Sequence, residues 1–117
     1  MDVWKAKGWH ETRVEWTRNS NGTGWLRIDR GAGVAIKRSE ADVFEVLLDH
    51  LGEDDGWKAR VYVLRRLRRE SGRKVTSGAL RNRTYLLRNA LERAGYDRWL
   101  VQCHPTRGMR FALRPRS

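Results

Sequence analysis

Arg81, Tyr85 and Arg88 recur at intervals of four and three residues, with Asn82 and Asn89 beside them and Arg83 between. An arginine fork matches the O6 and N7 acceptors of guanine, and an asparagine amide matches adenine. Upstream, Arg65, Arg66, Arg69, Arg73 and Lys74 supply cations suited to phosphate oxygens, and Arg107 adds one in a late turn. That chemistry is recognition of a polyanion. Catalysis is not expected: no Ser/His/Asp or Cys/His pairing, no Gly-rich phosphate loop and no acid–base carboxylate pair stands out. His10, His50 and His104 are too scattered for a metal site. Glu53-Asp54-Asp55 reads as a solvated acidic loop, with a divalent cation as the sharper alternative. No metal or cofactor is expected.

The residues that must position this set lie in the same stretch. Thr76 or Ser77 offers a hydroxyl N-cap, and Gly95 suits a left-handed turn after a helix. Between them Leu80, Thr84, Leu87 and Leu91 recur at helical spacing, so they form the inward face and leave the arginines outside. A merely solvated basic face is the competing reading. Arg93 and Arg98 near the helix end complement its dipole.

Further elements bracket this helix. Thr12 to Arg18 alternates with Val14 and Trp16 on one face, Asn21-Gly22 marks a hairpin, and Trp25 to Asp29 alternates again. A third strand spans Val34 to Lys37, which completes an antiparallel meander over 12–37. Ser39-Glu40-Ala41-Asp42 resembles a capping box opening a helix that buries Val43, Val46, Leu47 and His50 or Leu51, with Gly52 ending it. Another helix runs from Trp57 to Glu70 with Val61, Leu64 and Leu67 inward and Lys58, Arg65, Arg66, Arg68 and Arg69 outward. Trp99 to Cys103 and Met109 to Leu113 flank the turn His104–Gly108 and read as a closing hairpin. Trp16, Trp25 and Trp99 are expected in the core, as is Cys103 as a small buried hydrophobe.

The fold expected is therefore α+β, a winged helix in one domain spanning 1–117: meander 12–37, three-helix core with helix-turn-helix 39–95, and wing 99–113. Charge is segregated along it. Residues 1–56 carry 8 Lys/Arg against 11 Asp/Glu, whereas residues 57–117 carry 17 against 3, within a total of +11. Solubility alone would be served as well by mixed charges, so the second half is expected to meet a polyanion. A single cysteine excludes an internal disulfide and suits a reducing cytoplasm, and neither a membrane span nor a signal-peptide core is present.

The order of strands, three helices and hairpin resembles the effector domain of OmpR/PhoB-type response regulators from about Trp25 to Leu113. The most similar stretch is Leu80 to Leu91, where Leu87-Arg88 stands at the family's Leu-Arg pair. In the wing, Gly108 falls on the second glycine of the family's Arg-Gly-X-Gly-Tyr pattern, while Pro105 and Thr106 replace its first arginine and glycine. Arg107 would then serve as the wing's phosphate or minor-groove contact. The resemblance implies double-stranded DNA binding without phosphorelay control, since neither a receiver domain nor an acidic phosphorylation pocket is read in the chain.

The expected function is sequence-specific binding of double-stranded DNA by a cytoplasmic, nucleoid-associated transcription regulator, with a phage or mobile-element origin left open. Helix 76–95 would enter the major groove through Arg81, Asn82, Arg83, Tyr85 and Arg88. Arg65, Arg66, Arg69, Arg73 and Lys74 would hold phosphates, and the wing 103–109 would reach the adjacent groove or backbone. Tyr85 has a second reading, packing against the wing. RNA or architectural DNA binding is the alternative function, as is an adaptor role contacting RNA polymerase. A homodimer on DNA stays open.

Overall fold

The structure, a computed structural model, describes residues 10–29, 31–48 and 56–115. Strands β1 (His10–Thr12), β2 (Val14–Arg18), β3 (Gly24–Ile28) and β4 (Val34–Ile36) lead into helices α1 (Arg38–Leu48), α2 (Arg60–Ser71) and α3 (Ser77–Arg93). A 3-10 turn (Arg98–Leu100) then feeds β5 (Val101–His104), β6 (Gly108–Phe111) and β7 (Leu113–Pro115). The fold is α+β: three antiparallel strands, three helices and a two-strand hairpin, the layout of a winged helix. β1 pairs in parallel with β7, so the two ends of the described chain meet. No helix among the described residues is long and apolar enough to cross a membrane.

Alternation sets the first sheet. Leu26 and Ile28 of β3 and Val34 and Ile36 of β4 are buried, while Trp25 and Ala35, paired across the strands, face out. α1 buries Ala41, Val43, Phe44, Val46 and Leu47 in the same core, packing chiefly against α3, α2 and β6. The Phe44 ring stands 4.8 Å from Trp16 and 4.9 Å from Phe111, which ties the meander to the closing hairpin through one side chain. Arg18 adds a polar tie. It donates to the Gly22 carbonyl at 2.6 Å and forms ion pairs with Asp42 and Glu45 of α1. Burial alone would lower the Arg18 pKa, but those hydrogen bonds and charges more than offset it and leave it raised.

Three local expectations are corrected. The capping box is absent: α1 begins at Arg38, so Ser39 lies within the first turn and its hydroxyl bonds the neighbouring Glu40 carboxylate. Val61 is 61% exposed instead of inward, because α2 begins at Arg60 rather than Trp57 and its buried pair is Val63 and Leu67. Val61 lies two residues before Val63, about 200° around the helix. Trp25, at 38% exposure, belongs to the outer face of the sheet rather than to the core. His50 and Leu51, assigned to the buried stripe of the first helix, lie outside the described residues, as does Glu53-Asp54-Asp55.

Residues 57–59, taken from the predicted helix, do different work. Lys58 exchanges two backbone hydrogen bonds with Met109 (2.8 and 2.9 Å), adding a short third rung to the β5–β6 hairpin. The close approach requires Gly108, whose φ is 101° and where a Cβ would sit 1.9 Å from the Lys58 carbonyl oxygen. Gly95 has a similar φ of 91° in the turn after α3 but open space around it. There Gly95 N–H donates to Glu92 O and Tyr96 N–H to Leu91 O, which closes the helix and delivers Tyr96 to the sheet. Its hydroxyl donates to Ala32 O at 2.7 Å and accepts from Ile28 N–H at 3.2 Å.

Both glycines resist alanine, but unequally. Gly95→Ala meets only the left-handed backbone penalty, about 1–2 kcal/mol. Gly108→Ala adds displacement of Lys58 and loss of its two backbone bonds, for a total of about 3 kcal/mol or more. Urea unfolding of the two variants should separate them in that order; equal midpoints would contradict the wing attachment.

Candidate nucleic-acid interface

α3 owes its placement to a short chain of causes. The Thr76 hydroxyl accepts from Ala79 N–H at 3.1 Å and starts the helix. Leu80, Thr84, Leu87 and Leu91 are buried as expected, and Thr84 satisfies its hydroxyl by donating to Leu80 O at 2.8 Å. The helix is thereby rolled so that Arg81, Asn82 and Tyr85 are exposed.

The wing flank of α3 closes around a small cavity of about 180 Å³, lined by Arg60, Ser77, Arg81, Thr84, Arg88 and Cys103 among others. Arg81 and Arg88 therefore share one pocket with the wing. Arg88 is half-buried there: its Nε donates to Val101 O at 2.8 Å, and its guanidinium lies 4.7 Å from the Trp99 ring centre. The Nε edge is thus spent on the protein, and only the Nη end of the fork is left to meet a base or phosphate. Cys103 is exposed on the wing, contrary to its expected burial.

Trp99 is corrected as well. It is 46% exposed because it stands on the 3-10 turn, where strand alternation does not apply, and its N–H is capped by Asp97 Oδ1 at 2.9 Å. Arg98 joins the same row, 5.6 Å from the Trp99 ring and 5.8 Å from that of Tyr85, with an ion pair to Glu92 at 3.3 Å. Arg98 therefore braces aromatic rings beside α3 in addition to lying near its end. Tyr85 itself is 55% exposed.

The other cations divide. Arg83, two residues from Arg81 and so about 200° away on the helix, falls on the opposite flank of α3, beside Glu70, Ser71 and Arg73. It does not join Arg81 and Arg88. Arg66 is held within α2, donating to the Tyr62 hydroxyl at 2.9 Å and to Glu70 at 3.0 Å. Arg65, Arg69, Arg73 and Lys74 are exposed. Arg107 is exposed in the wing turn, where His104 Nδ1 accepts the backbone N–H groups of Thr106 and Arg107 at 3.2 Å each.

Sequence reasoning missed two residues here. Arg60 lines the α3–wing cavity, and starting α2 at Trp57 hid it inside the helix instead of at its first turn. Arg110, on a strand whose residues are all buried, donates through Nε to Gln102 at 2.8 Å and lies 4.6 Å from the Trp57 ring centre. It is a cation spent on joining the wing to the segment before α2. No group of His, Cys, Asp and Glu able to hold a metal is found among the described residues. Arg60, Arg81 and Arg88 thus line the space between a helix and a hairpin with positive charge. No model of a known protein family matches the chain, and no curated protein matches it.

Arg88→Lys keeps the charge but loses the planar contact with Trp99 and the fixed Nε–Val101 bond, so it should cost about 1–2 kcal/mol. Arg81→Lys, on the exposed ridge, should stay within about 0.5 kcal/mol. Denaturant titration of both variants checks the contrast.

Proposed function

We propose that the chain binds double-stranded DNA in a sequence-selective way, with α3 in the major groove. The observation that carries this reading is the exposed ridge of Arg81, Asn82 and Tyr85, standing opposite a fully buried stripe and beside a wing. A helix fits a major groove about 12 Å wide, and arginine and asparagine there can read purine edges. Arg60, Arg65, Arg69, Arg73, Lys74 and Arg107 would hold backbone phosphates and fix the register. Arg88 would contribute its free Nη end from the pocket it shares with Arg81.

A transcription regulator built like the OmpR/PhoB effector domain is the biological role that suits this geometry. Its setting would be the cytoplasmic nucleoid, and RNA polymerase or a second copy on the same DNA would be its protein partners. One observation favours a second reading, binding that ignores sequence: the Nε edge of Arg88 is committed to Val101 O, which shortens the list of base readers.

Selection of bound fragments from a random duplex library, followed by competitive gel shifts, separates the readings. Arg81→Ala and Asn82→Ala should each lose about 1–3 kcal/mol of preference for selected over random duplex. Arg73→Ala should weaken both duplexes alike and reduce the salt slope by about 1. Equal weakening by all three variants would favour the second reading, and no binding by the wild type would end both.

A further inference from the structure

On the flank of α3 away from the wing lies an open groove of about 1000 Å³, bounded by the β2–β3 turn, the start of α1, the end of α2 and Arg83. Its cations are Arg18, Lys37, Arg38, Arg73 and Arg83, and its acids are Asp42 and Glu70. The acids are already engaged: Asp42 pairs with Arg18, and Glu70 with Arg66. Lys37, Arg38, Arg73 and Arg83 form no ion pair among the described residues. The groove therefore presents a net excess of uncompensated positive charge.

Two features set this groove apart from an ordinary solvated surface. Lys37 and Arg38 sit at the start of α1, where cations oppose the helix dipole, so helix stability does not account for them. They also stand in the half of the chain that is acidic overall. The Arg38 stem is packed over Gly22, close enough that a Cβ on Gly22 would lie 2.8 Å from its Cγ and Cδ. That contact fixes the direction of Arg38 along the β2–β3 turn. An open, polar trough is a poor enclosure for a small molecule, which usually needs a concave and largely apolar pocket. A strand of evenly spaced phosphates needs only a row of cations.

We infer that the DNA track continues past α3 onto this groove, where Lys37, Arg38, Arg73 and Arg83 hold a stretch of phosphate backbone on the side opposite the wing. This inference rests on the proposed function and extends it: α3 would be flanked by phosphate contacts on both sides, the wing cavity with Arg60 on one and the α1 groove on the other. The groove brings Lys37 and Arg38, two cations of the acidic first half of the chain, to the nucleic acid.

The test is the double variant Lys37→Ala/Arg38→Ala, titrated with the selected duplex and with a random duplex at several salt concentrations. Both side chains are exposed and oppose the helix dipole, so thermal stability should hold or rise, which removes misfolding as an explanation. Loss of two phosphate contacts should lower the magnitude of the salt slope by about 2 and weaken both duplexes about tenfold or more at moderate salt. The ratio of selected to random binding should not change. An unaltered affinity and slope, with Arg81→Ala still impaired in its preference for the selected duplex, would overturn the inference and leave the proposed function standing. Absence of salt-dependent duplex binding by the wild type would remove both.

Discussion

Two backbone hydrogen bonds between Lys58 and Met109 decide where the wing stands. They join the segment before α2 to the closing hairpin, and they form only because Gly108 lets the Lys58 carbonyl approach without a side chain in the way. Through this contact the start of α2, the wing strands and the flank of α3 enclose one cavity. Arg88 reinforces the junction from the other side by binding Val101 O and stacking near Trp99. Arg110 does so from the middle, bonding Gln102 and lying over Trp57. The same guanidinium chemistry that suits anions is thus spent, in these two cases, on holding the frame that presents the remaining arginines.

The charge pattern follows that division of labour. Cations over residues 57–117 outnumber acids 17 to 3, and the exposed ones repel one another at low salt. The repulsion is relieved locally where an acid or an aromatic ring lies near: Glu70 at Arg66, Glu92 at Arg98, and the Tyr62 and Trp99 rings. Among the described residues no such partner accompanies Arg81 on the ridge of α3 or Arg73 in the turn before it, and these are positions where a polyanion would gain most. On the proposed function, binding would draw chiefly on arginines that carry no fold contact, with Arg88 serving both.

Much of the architecture was legible in the sequence because period alone carried it. Helical spacing at Leu80, Thr84, Leu87 and Leu91 named the buried face correctly, whereas alternation in β3 separated Leu26 and Ile28 from Trp25 but left the buried side to the wrong residue, Trp25. Three of the failures share a cause. Val61, Trp99 and Arg60 all lie next to an element boundary, where a shift of a few residues moves a side chain to the opposite face. The start of α2 was hidden because Trp57–Ala59 is recruited by β6, a long-range pairing that leaves no local signal. For the candidate interface, residue type pointed to the arginines, but only packing could separate Arg66, Arg88 and Arg110, which have protein partners, from Arg81 and Arg73. The grouping of Lys37 and Arg38 with Arg83 depends on tertiary folding and was not readable from spacing.

The lone cysteine offers the most direct measurement of the central claim, that a duplex lies across α3 and the wing. Cys103 is exposed and lines the cavity shared by Arg60, Arg81 and Arg88. Its rate of alkylation by a water-soluble maleimide can be followed with and without saturating selected duplex. Duplex should slow the reaction about tenfold or more, and high salt, by releasing the nucleic acid, should restore the free rate. An alkylation rate unchanged by duplex that is demonstrably bound would place the nucleic acid elsewhere on the protein and contradict the account.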